Sequence, residues 1–126
     1  MGNVVLSVND KEFKHEVLES PIPVLVNFWA PWCGLCRLVE PSLQDLQTQY
    51  TGQIKLISVN ADENLILAST YRLRDLPTLL LIHRGQVIHR FESFKGRDDL
   101  RLTLSYLLQD CIRIEPPPSL DLRPVG

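Results

Sequence analysis

The chain has 126 residues, 44% of them hydrophobic, which suits one globular domain with its own core and argues against a disordered chain. Thirteen Lys and Arg against fifteen Asp and Glu leave a net charge of −2 with no basic stripe, which argues against a nucleic-acid partner. No apolar run is long enough to cross a bilayer, and Asn9, Asp10 and Lys11 interrupt the opening residues before they form a secretory signal. Met1-Gly2 opens like a myristoylation signal, but Leu6 stands where that signal needs Ser or Thr. The expectation is a monomeric cytoplasmic protein with no membrane contact. In that compartment a Cys pair is more often catalytic or metal-binding than structural.

Val4, Val5, Leu6 and Val8 predict a first strand. Asn9 or Asp10 can cap a short helix to about Glu19, with Phe13, Val17 and Leu18 on its inner face. Pro21 and Pro23 end it. Val24 to Trp29 reads as a buried strand, broken by Pro31. A second helix follows from about Gly34 to Tyr50, with Leu35, Leu38, Val39, Leu43, Leu46 and Tyr50 as its stripe and Pro41 inside it. Ile54 to Val59 predicts a third strand and Glu63 to Tyr71 a short helix. Thr78 to His83 and Val87 to Phe91 predict two more strands, joined through Arg84-Gly85-Gln86 as a tight hairpin. Leu100 to Cys111 predicts a last helix with Leu100, Leu104, Leu107, Leu108 and Cys111 on one face. The Pro-rich segment from Ile114 predicts an extended or mobile tail. The order β-α-β-α-β-α-β-β-α gives an α/β fold, a mixed five-stranded sheet flanked by four helices. The domain is expected over residues 1–113 and the tail over 114–126.

The chemistry concentrates at Cys33-Gly34-Leu35-Cys36, where a strand meets a helix. Unpaired N–H groups and the helix dipole stabilise a thiolate at such a junction, and the spacing lets the two sulfurs bridge. A Cys-x-x-Cys can also be half of a zinc site. There is no second Cys pair, and His15, His83 and His89 lack ligand spacing from the first, which leaves a metal shared between two chains as the metal-bound alternative. The histidines read as surface or strand residues, Trp29 as a core aromatic, Trp32 as exposed beside Cys33, and Cys111 as a buried inert thiol.

Val24 to Cys36, read VLVNFWAPWCGLC, resembles the thioredoxin signature, in which a strand ends in Trp-Cys-x-x-Cys. Arg74-Asp75-Leu76-Pro77-Thr78, followed by an apolar strand and the Gly85 hairpin, resembles the family's second landmark. The resemblance spans roughly Val4 to Asp110 and implies a thioredoxin fold. It implies that Cys33 is an exposed nucleophile attacking a substrate disulfide and that Cys36 is the resolving thiol. It also implies a cis bond at Pro77, facing the Cys pair, and a substrate groove of Trp32, Gly34, Leu35, Asp75, Leu76, Pro77 and Ser93. Leu76 would offer backbone groups to an extended substrate segment, Gly34 would leave room for its approach, and Arg37 would help lower the Cys33 pKa. The implied substrates are disulfide-containing proteins and the implied donor is a thioredoxin reductase, NADPH- or ferredoxin-linked. The dithiol carries the electrons, with no metal or organic cofactor.

Five departures accompany the resemblance. Asn27 stands where the family typically carries a buried Asp with a proton-transfer role, and Ser58 stands where it often has the Lys paired with that Asp. A buried ion pair is thus replaced by two neutral groups, whereas losing one partner alone would strand a charge. Leu35 replaces the usual Pro between the cysteines, which implies a weaker reductant. Asp75 replaces a small residue near the groove, where its carboxylate opposes a nearby thiolate. Ser93-Phe94 replaces a Gly-containing segment. These departures leave two alternatives, an oxidase or isomerase on the same fold and a non-catalytic module that uses the proline groove for docking.

Overall fold

The structure is a computed structural model that describes residues 6–92 together with 98, 99, 102 and 103. Its elements are β1 (Leu6–Ser7), a π-helical turn (Lys14–Leu18), β2 (Val24–Trp29), α1 (Gly34–Gln49), β3 (Lys55–Asn60), α2 (Leu65–Thr70), β4 (Thr78–His83) and β5 (Gln86–Phe91). The five strands form one mixed sheet in the order β1-β3-β2-β4-β5. β2 lies at its centre, parallel to β3 and antiparallel to β4, while β1 joins β3 in parallel and β5 closes a hairpin with β4.

The central strands are apolar on both sides because both sides are covered. On one side Leu25, Leu56, Leu79 and Leu81 pack with Val39, Leu43, Leu46 and Tyr50 of the α1 region. On the other, Val24, Val26, Phe28, Ile57, Leu80 and Ile82 pack with Phe13, Val17 and Leu67. Side chains alternate along a strand, so Leu25, Asn27 and Trp29 share the face beneath α1. The β4–β5 turn places Arg84 and Gly85 at φ 56° and 79° between the paired residues His83 and Gln86. Positive φ at both central residues is the type I′ geometry that suits the twist of a hairpin.

Three expectations are corrected in detail. The predicted first helix is a turn followed by the π-helical segment, closed by an i to i−5 bond from Glu19 N to Lys14 O at 3.0 Å. Asn9 does cap the turn, accepting from Lys11 N and Glu12 N. Asp10 instead accepts from Leu67 N in α2, and Asn64 Oδ1 accepts from Asp10 N, which ties the first turn to α2. Leu38 is 59% exposed and not part of the α1 stripe. It lies two residues from buried Cys36, about 200° around the helix at 3.6 residues per turn. Of the histidines, read as surface or strand residues, His83 is a buried residue of β4.

Three of the four predicted helical segments thus have counterparts among the described elements. Of the fourth, Leu102 and Thr103 are helical, as are Asp98 and Asp99 before it. Cys111 and the tail lie outside the described residues, as do Val4 and Val5 of the first strand.

Candidate active site

β2 delivers the chain to the site and α1 carries it away. After Trp29 the chain turns, with Cys33 N donating to Ala30 O at 3.1 Å. Cys33 is the N-cap of α1, with extended backbone, and its Sγ accepts the Cys36 N–H at 3.1 Å. A sulfur here replaces the oxygen of a usual capping side chain and meets one of the amides that the first helical turn leaves unpaired. Cys33 and Cys36 are joined by a disulfide, with Cα atoms 5.3 Å apart, inside the normal range for such a bridge. Both are 5% exposed. In this disulfide Cys33 is buried, unlike the exposed nucleophile that the resemblance implies, because its sulfur is bonded to Cys36 and turns back over the helix end toward the Cys36 amide. Access is left beside it. Gly34 is exposed, and a Cβ built there would meet nothing within 4 Å.

Trp32 is 68% exposed and its Nε1 donates to Asp62 Oδ2 at 2.8 Å, so the turn after β3 holds the indole over the site's edge. Asn60 Oδ1 in turn accepts from Asp62 N and Glu63 N and shapes that turn. Asp62 carries no motif; its role arises only because β3 is parallel to β2 and ends at the same edge. Arg37 also lies at this edge, and its Nη2 donates to Pro31 O. Leu35 is half-buried against the α1-side core.

The Leu76–Pro77 peptide bond is cis, as the resemblance implies. Phe28 pairs with Thr78, so the residues just before β4 lie beside the end of β2, where the Cys loop begins. Pro77 is buried, Leu76 packs against the α2-side core, and Asp75 is exposed with its carbonyl accepting from Thr78 Oγ1. Ser93 lies outside the described residues.

Asn27 and Ser58 are register partners on β2 and β3, beneath the first turns of α1. A cavity of about 360 Å³ separates them from the helix. Its floor is Asn27, Trp29, Leu56 and Ser58, and its roof is Cys36, Arg37, Glu40 and Leu43. Asn27 Oδ1 and Trp29 Nε1 are buried and meet no protein partner among the described residues. Sequence reading singled out Asn27 and Ser58 but missed Glu40. Its signal is the helical spacing Cys36, Glu40, Leu43, which places the three on one face.

Comparison with known proteins agrees with this geometry. The sequence model of the Thioredoxin family matches residues 4–106. Thioredoxin 1 of Synechococcus elongatus is 52% identical over 84 residues, covering 67% of this chain and 78% of the relative. Thioredoxin 1 of a Nostoc species is 52% identical over 97 residues, covering 77% and 91%. A thioredoxin of a Synechocystis species is 49% identical over 101 residues, covering 80% and 94%. Family match, fold and the paired cysteines agree: the chain belongs to the thioredoxin family of thiol–disulfide oxidoreductases.

Proposed function

We propose that the chain reduces disulfides in protein substrates, with Cys33 as nucleophile and Cys36 as resolving thiol. The observation that carries this assignment is the position of Cys33 Sγ on the N-terminal end of α1, within hydrogen-bond reach of the Cys36 amide. That amide and the helix dipole favour negative charge on the Cys33 sulfur. The Cys33 thiolate attacks one substrate sulfur, and the other leaves as a thiolate that takes up a proton. Cys36 then loses its proton and attacks Cys33 Sγ. The Cys33–Cys36 bond forms, the bond to substrate breaks, and the second substrate sulfur leaves reduced. Two electrons pass from the dithiol to the substrate disulfide, and a thioredoxin reductase, NADPH- or ferredoxin-linked, restores the dithiol.

Substrate approaches over Gly34, between Trp32 and the Leu76–Pro77 edge, in our reading. Asp75 at that edge disfavours acidic partners and favours basic ones. Leu35 between the cysteines makes the pair a weaker reductant than family members with Pro at that position. That substitution also favours the second reading, an oxidase or isomerase.

Equilibration of the Cys33–Cys36 couple with glutathione buffers separates the two readings. A potential near those of typical thioredoxins supports the reductase, and a clearly less negative one supports the oxidase or isomerase. The thiol roles are tested by trapping. Cys36→Ser is expected to accumulate mixed disulfides through Cys33, and Cys33→Ser to accumulate none. Accumulation through Cys36 in the latter variant reverses the assignment.

A further inference from the structure

We propose that Glu40 is the proton-transfer group for the Cys36 thiol, acting through water held in the cavity beneath α1. The proposal rests on the reading of Cys36 as the resolving thiol, and it names the base that this reading requires. Asn27 cannot fill that role, because an amide does not take a proton at ordinary pH.

Two independent features of the cavity point to Glu40. The first is placement. Cys36 and Glu40 are four residues apart on α1, one turn along the same face, and both line the cavity. Arg37 and Glu40 are the charged residues of the lining, while β2 and β3 present Asn27, Trp29 and Ser58, none of which titrates near neutral pH. Arg37 is a permanent cation that donates to Pro31 O. Glu40 is therefore the carboxylate of this lining, a side-chain type that serves as a general base.

The second feature is a pair of buried polar atoms, on Asn27 and Trp29, that belong to residues lining the cavity. Asn27 is 8% exposed and its Oδ1, an acceptor, has no protein partner among the described residues. The same holds for Trp29 Nε1, a donor. Buried groups of this kind are satisfied by ordered water. At about 30 Å³ per molecule, a volume of about 360 Å³ holds several waters. A hydrated chamber between Cys36 and an exposed carboxylate is a route by which the proton leaves the thiol and reaches solvent.

In the resolving step, the Cys36 proton passes through water to the Glu40 carboxylate. The electron pair left on Cys36 Sγ forms the bond to Cys33 Sγ, and the pair of the broken bond leaves on the substrate sulfur, which takes up a proton. Glu40 then releases its proton to solvent. When the donor restores the dithiol, the same path returns a proton to Cys36.

The test is a stopped-flow reaction of the reduced full-length chain with the aromatic disulfide 5,5′-dithiobis(2-nitrobenzoate), in a Cys111→Ser background so that only the pair reacts. Each released thiolate absorbs. The first release, second-order in reagent, reports Cys33 attack, and the second, first-order, reports resolution by Cys36. Glu40→Gln is expected to slow the second phase by about 100-fold near neutral pH, the low end of a general-base contribution. The deficit should close as pH approaches the thiol range, about 8.5. The first phase should be unaltered, and Glu40→Asp should recover most of the lost rate. A second phase unaltered in Glu40→Gln at every pH overturns the role of Glu40. Equal slowing at all pH values in both variants also overturns it, since that is a structural effect. If the unsubstituted Glu40 chain releases only one equivalent, the reading of Cys36 as resolving thiol fails as well.

Discussion

Asn27→Asp is the substitution that most directly probes the altered layer beneath the disulfide. Asn27 is 8% exposed, its register partner is Ser58, and its side chain looks into the cavity under α1. A carboxylate there has no cation from β3 to meet it. A buried charge without its partner costs about 3–5 kcal/mol. The low end applies here, because the cavity has room for water and Arg37 lies in its roof. Burial raises the folded-state pKa of such an Asp above its unfolded value near 3.9. The penalty is therefore absent below that unfolded value, grows as pH rises, and is full once pH passes the folded pKa.

Urea unfolding of the oxidised protein at two pH values is the assay. A loss of about 3 kcal/mol with a slope of about 2 kcal/mol/M lowers the midpoint by about 1.5 M at pH 8, with most of it recovered at pH 4. Adding Ser58→Lys to Asn27→Asp supplies the missing cation and should restore the midpoint at pH 8, although Ser58→Lys alone strands the opposite charge. The double-mutant cycle then reports a favourable coupling. An Asn27→Asp midpoint equal to that of the parent at both pH values refutes the reasoning, as does a double variant no more stable than either single one.

Three further outcomes follow from the geometry. Lys55 Nζ lies 2.6 Å from Glu16 Oε1 and holds the Glu16 pKa below its usual value, first through the hydrogen bond and then through its charge. The resulting stability is present above the unfolded carboxylate pKa, about 4.3, and is lost as pH falls through the lower folded value. Acid-unfolding curves of Glu16→Gln and the parent should therefore differ above about pH 4 and converge below it. Gly85→Ala should destabilise by about 1–2 kcal/mol in chemical denaturation, because its φ is 79° while its nearest new contact, Leu18 O at 3.8 Å, is an ordinary one. Gly34→Ala meets no neighbour and should leave the unfolding free energy within about 1 kcal/mol of the parent. Any effect it has on rate should appear with protein substrates more than with small disulfides, since bulk at Gly34 obstructs only a wide approach.

What the sequence made legible was whatever depends on local pattern. The β2 run, the Cys pair at its exit and the β4–β5 turn each follow from composition within a few residues, and each is found where expected. The Leu76–Pro77 cis bond was legible only through family resemblance, since nothing local distinguishes it from a trans proline. The contacts that sequence reading missed join distant segments. Asp10 reads as a cap for the helix that follows it, but it serves α2, 57 residues away. Asp62 holds Trp32 across 30 residues. Leu38 fits an apolar helical stripe by composition, and only the direction of the buried Cys36 face shows that it points outward. Neither the cavity nor the place of Glu40 in it can be read without the register of β2 against β3.

The two halves of the exchange reaction rest on different parts of this fold, and the buried departures at Asn27 and Ser58 fall on only one of them. Attack by Cys33 is governed mainly by backbone. The Cys36 amide and the dipole of α1 are present whatever side chains lie beneath the helix. Resolution by Cys36 needs its proton removed, and that depends on the side chains below and beside it. There the ion pair expected from family resemblance gives way to Asn27 and Ser58, and the short Ser58 side chain leaves room for the cavity. Changes in that layer can therefore alter the second step while leaving the first intact. For this chain the mixed disulfide with substrate should live longer near neutral pH than in family members with a buried carboxylate in place of Asn27. Its lifetime becomes a function of Glu40 and the water beneath α1, not of the nucleophile.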